Sequence, residues 1–148
     1  YAKTRIQFGS PIFANQAISF MLADMAKKIE ASRLLTWQAA WMTDNGIKNS
    51  KQSAIAKTFA TDTAMEVSTD AVQILGGNGY SRDYLVEKCM RDAKLLQIYE
   101  GTNQVQSMVI ARNLVKEAGQ LAYLSKFIPT ETQRGVNPSD VDGSVPTG

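Results

Sequence analysis

The stretch Ile18-Ser19-Phe20-Met21-Leu22-Ala23-Asp24-Met25-Ala26-Lys27-Lys28-Ile29-Glu30 decides the fold class. Ile18, Leu22, Met25 and Ile29 recur at helical spacing, while Asp24, Lys27, Lys28 and Glu30 fall on other faces, as an amphipathic helix requires. The pattern persists through Leu34, Trp37 and Trp41 and stops near Asn45-Gly46, a natural C-terminal cap. Upstream, Ser10-Pro11 reads as the helix start, because serine can cap free N–H groups and proline needs no N–H partner there.

Outward from this helix the same period returns. A second helix begins around Asn49-Ser50, carries Ile55, Phe59, Val67, Ala71 and Ile74, and ends at Gly76-Gly77. Its many alanines and threonines allow close approach of a neighbouring helix or a ligand, although core packing accounts for most of them. Gly76-Gly77-Asn78-Gly79-Tyr80 reads as a structured, non-helical loop, since glycine and asparagine favour positive φ. Val86, Cys89, Met90 and Ala93 mark a third, shorter helix. A fourth starts at Thr102 and runs through Val105, Met108, Val109 and Leu114 to about Ala118. No β-strand pattern and no internal repeat is visible. The expected fold is all-α, an antiparallel four-helix bundle formed by residues 1–118. From Gly119 the glycines and prolines Pro129, Gly135, Pro138, Gly143, Pro146 and Gly148 read as a tail or linker over 119–148, on which Leu121, Tyr123, Leu124, Phe127 and Ile128 could dock a short piece.

The 148 residues, 44% of them hydrophobic, suffice for one domain with a real core. Sixteen basic and 14 acidic residues leave a formal charge of +2, scattered without a basic stripe, which argues against nucleic acid. With no histidine and a single cysteine, Cys89, the usual zinc sites, an internal disulfide and Ser-His or Cys-His triads are excluded; no metal is expected, and Cys89 reads as a small apolar residue on a helix face. No apolar run approaches the ~20 residues that span a bilayer, and no signal pattern opens the chain, so a soluble intracellular protein is expected. The start on Tyr1-Ala2-Lys3 reads as a piece of a longer chain.

Two places could carry chemistry. The loop Gln73 to Gly79 presents backbone N–H groups able to meet a phosphate, but a plain helix-ending turn uses glycines the same way. Glu100 precedes Gly101-Thr102, where threonine can cap the next helix and glycine lets a ligand reach the main chain. Its carboxylate is either a favourable partner of a helix N-terminus or a positioned general base, and residue types alone leave both open.

The combination of motifs goes further. Arg5-Ile6-Gln7-Phe8-Gly9 with Pro11 and Gln16, Leu22-Ala23-Asp24-Met25, Asp70 through Tyr80, Arg91-Asp92-Ala93-Lys94 and Ile98-Tyr99-Glu100-Gly101-Thr102-Asn103-Gln104 together resemble the acyl-CoA dehydrogenase family, in its order and spacing. The resemblance spans about Tyr1 to Ala118 and leaves the tail uncovered. It is similar to the short- and medium-chain members, whose base follows Ile-Tyr. Relatives with the base on the long first helix have a carboxylate where this chain, near Thr36 to Ala40, has none.

The resemblance implies an FAD-dependent oxidoreductase of fatty acid β-oxidation that removes α- and β-hydrogens from an acyl-CoA thioester. Glu100 would be the base, with Gly101 and Tyr99 at the substrate, although Tyr99 also reads as a plain core tyrosine. It implies that Arg5, Phe8 and Gln16 reach the FAD of a neighbouring subunit, Arg5 near the pyrophosphate, with further flavin contacts from Gln73, Ile74, Leu75, Gly76 and Gly77 at the adenosine half and from Thr102, Asn103 and Gln104 after the base. Arg91 and Asp92 resemble an internal ion pair. Further implications are a homotetramer or dimer, electron-transfer flavoprotein as acceptor, and a mitochondrial matrix or bacterial cytoplasmic setting. An acyl-CoA oxidase, an electron-bifurcating relative, and a helical assembly module without FAD or activity remain open, and chain length of the acyl group is not legible.

Overall fold

The protein is described here by a computed structural model covering residues 1–124. It is all-α apart from a minimal hairpin: β1 (Ile6–Gln7), β2 (Ser10–Pro11), a 3-10 turn (Ile12–Ala14), α1 (Gln16–Asp44), α2 (Ser50–Leu75), α3 (Gly77–Tyr80), α4 (Val86–Leu96) and α5 (Asn103–Leu124). The four expected helices are present, and the expected stops at Asn45-Gly46 and Gly76 hold, with Gly46 at φ 67° and Gly76 at φ 60°.

Three expectations about the elements, and one about an ion pair, need correction. Ser10-Pro11 does not cap the first helix. It pairs with Ile6–Gln7, Ile6 opposite Pro11 and Gln7 opposite Ser10, and the Ile12 and Phe13 N–H groups donate to the carbonyls of Arg5 and Ala2 at 2.9 and 3.0 Å. Those bonds hold the chain off the helical path until Gln16, where Asn15 stands as N-cap without a side-chain bond. The glycine loop, expected to be non-helical, contains the one-turn α3: Gly76 absorbs the reversal at positive φ, so the residues behind it return to helical geometry. Finally, Gly119 does not end the last helix, which runs on to Leu124; a single glycine costs only about 1 kcal/mol in a helix interior. The readings placed on Phe127, Ile128 and the prolines beyond lie outside the described residues.

The chain divides into two compact units, Tyr1–Ala111 and Arg112 onward. In the first, α2 is the hub and packs against α1, α3 and α4. The short connections make α1 and α4 antiparallel neighbours of α2. Accordingly Lys28 of α1 pairs with Glu66 of α2, while Asn49 donates to Ala39 O and Thr43 Oγ1, both at 2.7 Å. The buried positions are mostly small, namely Ala39, Ala54, Ala56, Ala93, Thr63 and Ser68 beside Ile12 and Ile74. Small side chains let helix backbones approach closely, and the Ser68 hydroxyl is satisfied by donating to Ala64 O at 2.7 Å.

The core is correspondingly thin. Leu34, Trp37 and Trp41, the continuation of the α1 stripe, are 55%, 61% and 59% exposed; one neighbouring helix cannot cover a 29-residue element on more than one side. The expected Arg91–Asp92 pair is not formed. Arg91 instead bonds Glu87 (Nε to Oε2, 2.8 Å) one helical turn back, and Asp92 pairs with Lys88, because residues four apart on a helix face each other and adjacent ones do not. In the second unit the last turns of α5 expose Leu114, Val115, Leu121 and Tyr123. Among the described residues no helix is long and apolar enough to cross a membrane.

Candidate functional site

Most of the residues singled out from sequence gather at two places in the first unit, each built by a different local device, while Phe8, Gln16 and Gln73 line neither cleft. At the first, Arg5, Ile74, Leu75, Gly76 and Gly77 share the wall of an open cleft of about 390 Å³ with Tyr1, Gln7, Ile12 and Asn78. The N-terminal segment is held there by Tyr1, whose hydroxyl accepts from Asn78 Nδ2 at 2.8 Å and lies 3.4 Å from Leu75 O. Its ring meets Tyr84 edge to face at 5.8 Å. Buried Ile12 anchors the other end of the hairpin.

The cleft therefore sets one guanidinium beside the end of α2 and the start of α3. Arg5 is in no salt bridge among the described residues. A side chain added at Gly76 or Gly77 would meet no atom within 4 Å, so the main chain there is open to a ligand. A fixed fork of N–H donors next to bare backbone suits a diphosphate. Gln73 is exposed on the last turn of α2, Gln16 is exposed at the start of α1, and Phe8 caps the hairpin at 98% exposure. Phe8 and Gly9 both have positive φ, 53° and 82°, as a two-residue hairpin turn demands.

The second place is the corner between α4 and α5. Glu100 and Gly101 are consecutive left-handed residues at φ 53° and 85°. For a residue with a side chain this conformation costs about 1–2 kcal/mol, and such outliers cluster where function requires them. The reversal turns the chain so that α5 starts at Asn103, with Thr102 Oγ1 accepting from the Val105 N–H at 3.2 Å as a cap. Glu100, Gly101 and Tyr99 are exposed. The N–H groups of Glu100, Gly101 and Thr102 donate to no acceptor among the described residues, leaving a run of donors beside the carboxylate.

Asn103 locks this corner to α2. Its Oδ1 accepts from Lys57 Nζ at 2.6 Å, and its Nδ2 donates to Thr61 Oγ1 and Asp62 Oδ1 at 2.9 and 2.7 Å. Gln97 adds a donation to Asp62 Oδ1 at 2.7 Å, and Lys94 bonds Gln97 Oε1 at 2.9 Å. A cleft of about 320 Å³ opens here, lined by Thr102, Asn103 and Gln104 together with Asp62, Lys94, Gln97, Ile98 and Ser107. Tyr1, Asn78, Lys57, Thr61, Asp62, Gln97 and Gln106 were not legible as site residues: each acts through a partner distant in sequence or through a bond that no motif encodes.

The family profile described as "Acyl-CoA dehydrogenase, C-terminal domain" matches residues 1–115. The chain is similar to an acyl-CoA dehydrogenase of Bacillus subtilis strain 168, 53% identical over 115 residues that make up 78% of this chain and 30% of that protein. It is also similar to butyryl-CoA dehydrogenase from Megasphaera elsdenii, with 53% identity, a TM-score of 0.77, and coverage of 78% of this chain and 30% of that one. A further similar chain belongs to the structure of the electron transferring flavoprotein of Acidaminococcus fermentans, with 56% identity, a TM-score of 0.76, and coverage of 77% and 30%. This chain thus spans about 30% of the length of the relatives it matches.

Proposed function

The chain belongs to the acyl-CoA dehydrogenase family, matching its C-terminal domain, and from that premise we propose that residues 1–118 supply the base and part of the flavin site for α,β-dehydrogenation of an acyl-CoA thioester. The observation that carries the reading is the Glu100-Gly101 reversal: a non-glycine residue held left-handed, its carboxylate beside unpartnered backbone donors. A favourable charge at a helix N-terminus needs no such strain.

An acyl-CoA α-carbon is a weak acid, and a carboxylate removes its proton only if the charge developing on the thioester oxygen is stabilised. The Glu100 carboxylate takes the α-proton. The Glu100 N–H, free to donate, would bond the thioester carbonyl, a contribution of roughly 3 kcal/mol per well-placed donor. Gly101, exposed beside the base, would lie against the acyl group with its main chain, and Tyr99, exposed on the same corner, would line its path. When bound, FAD supplies the acceptor that takes the β-hydrogen as hydride, so that the thioester leaves as its α,β-enoyl form.

The residues present fit one end of that cofactor. Arg5 would hold the pyrophosphate against the open backbone at Gly76 and Gly77, with Gln73, Ile74 and Leu75 toward the adenosine half. Thr102, Asn103 and Gln104 would meet the flavin beside the base, Asn103 with its side chain already tied to α2. Arg5, Phe8 and Gln16, all exposed, would reach the FAD of a neighbouring subunit in a homotetramer or dimer. The uncovered Leu34, Trp37 and Trp41 are consistent with such an assembly. The setting we propose is β-oxidation in a bacterial cytoplasm or mitochondrial matrix, with electron-transfer flavoprotein as the acceptor.

The test is Glu100→Gln in a full-length enzyme carrying this domain, mixed anaerobically with butyryl- or octanoyl-CoA. Flavin bleaching should slow by about 10²–10⁴-fold, the usual contribution of a positioned base. Bleaching at the normal rate would remove Glu100 from the role. The similarity to a chain from a study of flavin-based electron bifurcation favours a second reading of the electron path only. Oxygen consumption without electron-transfer flavoprotein would point to an oxidase instead.

A further inference from the structure

We infer that Gln106 is a positioning residue, which holds Glu100 in its left-handed conformation and so aims the carboxylate; this rests on the reading of Glu100 as the base. Gln106 lies in the first turn of α5, half-buried, with its backbone N–H donating to Thr102 O at 2.9 Å. From there its side chain reaches back, and Nε2 donates to the Glu100 carbonyl at 3.2 Å.

The same amide sits under the next residue. A Cβ built on Gly101 would lie 2.8 Å from Gln106 Nε2. Gly101 is therefore glycine chiefly for its φ of 85°; an added Cβ would be accommodated by a shift of the flexible end of Gln106, at the expense of that amide's bond to Glu100. Because the peptide linking Glu100 and Gly101 is planar and trans, fixing its carbonyl on Gln106 also fixes the direction of the Gly101 N–H, which points the opposite way. One side chain thus sets the plane on which both the base and the neighbouring donor depend.

Nothing else in the described structure bonds the Glu100 carbonyl. Asn103 and its partners Lys57, Thr61 and Asp62 hold the start of α5 but do not reach Glu100 itself. Without the amide of Gln106 the Glu100 carbonyl has no partner, and the turn is closed around the strained residue only by the Asn103 N–H donating to Gln97 O at 3.1 Å, which leaves the Glu100–Gly101 peptide free to rotate and the carboxylate to swing with it. A displacement of about 1 Å at a reacting group can cost roughly 10²-fold in rate.

The experiment compares three variants at this position with Glu100→Gln in the full-length flavin-loaded enzyme. Gln106→Met keeps the size and loses the donor, Gln106→Glu keeps the shape and presents a carboxylate to the carbonyl, and Gln106→Lys restores a donor of similar reach. Flavin reduction should slow by about 10- to 100-fold in the Met and Glu variants. KM, flavin content and thermal midpoint should stay near wild type, the isotope effect with α-deuterated substrate should grow, and the Lys variant should recover much of the rate. If Glu100→Gln abolishes bleaching while Gln106→Met reduces flavin at full speed, the positioning role is overturned and the base stands. A loss of flavin or of thermal midpoint that accounts for the rate loss, or a Lys variant as slow as Met, would assign Gln106 to packing and overturn it equally. If Glu100→Gln bleaches normally, the base reading fails, and this inference with it.

Discussion

Two turns in this chain have nearly the same pair of φ angles and different causes. Phe8-Gly9 and Glu100-Gly101 each place a non-glycine residue at φ 53° before a glycine, at 82° and 85°. At the first, the conformation follows from connecting two antiparallel strands by two residues, where a left-handed pair matches strand twist. A side chain on Gly9 would meet nothing within 4 Å, and Phe8 projects into solvent. At the second no hairpin imposes the geometry. There the pair is held by a helix start, by the Asn103 network to α2 and by Gln106 packed beneath Gly101. Equal local strain can thus serve connection in one place and the aiming of a side chain in another.

The contrast is open to direct attack. The largest effect after Glu100→Gln itself is expected from Gly101→Ala, which combines an unfavourable φ with expulsion of the Gln106 amide. Stability should fall by about 1–3 kcal/mol from the strained backbone, with flavin reduction slowed roughly 100-fold through misplacement of the base. Denaturant melts and anaerobic stopped-flow measure the two. Gly9→Ala is the matched control, carrying the φ penalty alone, and should cost about 1 kcal/mol in the same melts. Because the end of a glutamine side chain yields cheaply, the two stability losses should be similar, and flavin reduction in Gly101→Ala as fast as in Gly9→Ala would break the comparison.

The smallest effect belongs to a place with no strain. Arg91→Gln removes the guanidinium whose hydrogen bond and charge hold Glu87 below its ordinary carboxylate range. A depressed carboxylate contributes its stability above its unfolded pKa, and that contribution is lost as pH falls through the folded value. The variant should therefore differ slightly from wild type near neutral pH and converge with it in acid below about pH 4. An exposed pair of this kind is worth little, so a difference in midpoint rivalling that of Gly9→Ala would show that Arg91 has a further role.

Much of the helical layout was legible because its signals are short-range. Ile18, Leu22, Met25 and Ile29 repeat every three or four residues, and Asn45-Gly46 and Gly76 stop helices by their own φ preferences. Where a local signal competed with a partner, sequence misled. Ser10-Pro11 has the chemistry of a helix cap, yet its strand partners lie at Ile6 and Gln7. Arg91 could pair with Asp92 on paper, yet helix geometry turns it to Glu87. Asn78 and Gly79 favour loops, yet once Gly76 has made the reversal one helical turn fits, and Gly79 is needed there because a Cβ would lie 2.5 Å from Val72 O.

By itself, the sequence determined the four main helices, the stops of the first two at Asn45-Gly46 and Gly76, and, through a run of motifs, that Glu100 stands at a junction worth examining. Only the tertiary structure decided that Glu100 is left-handed, that Arg5 faces the Gly76-Gly77 backbone, and that Asn103 turns its amide onto Lys57 and Asp62, 46 and 41 residues away. The physical reason is one of range. Periodicity and φ preference act over a few residues, so they can be read in order along the chain, whereas an unfavourable φ on a glutamate persists only when side chains from elsewhere in the fold outweigh it.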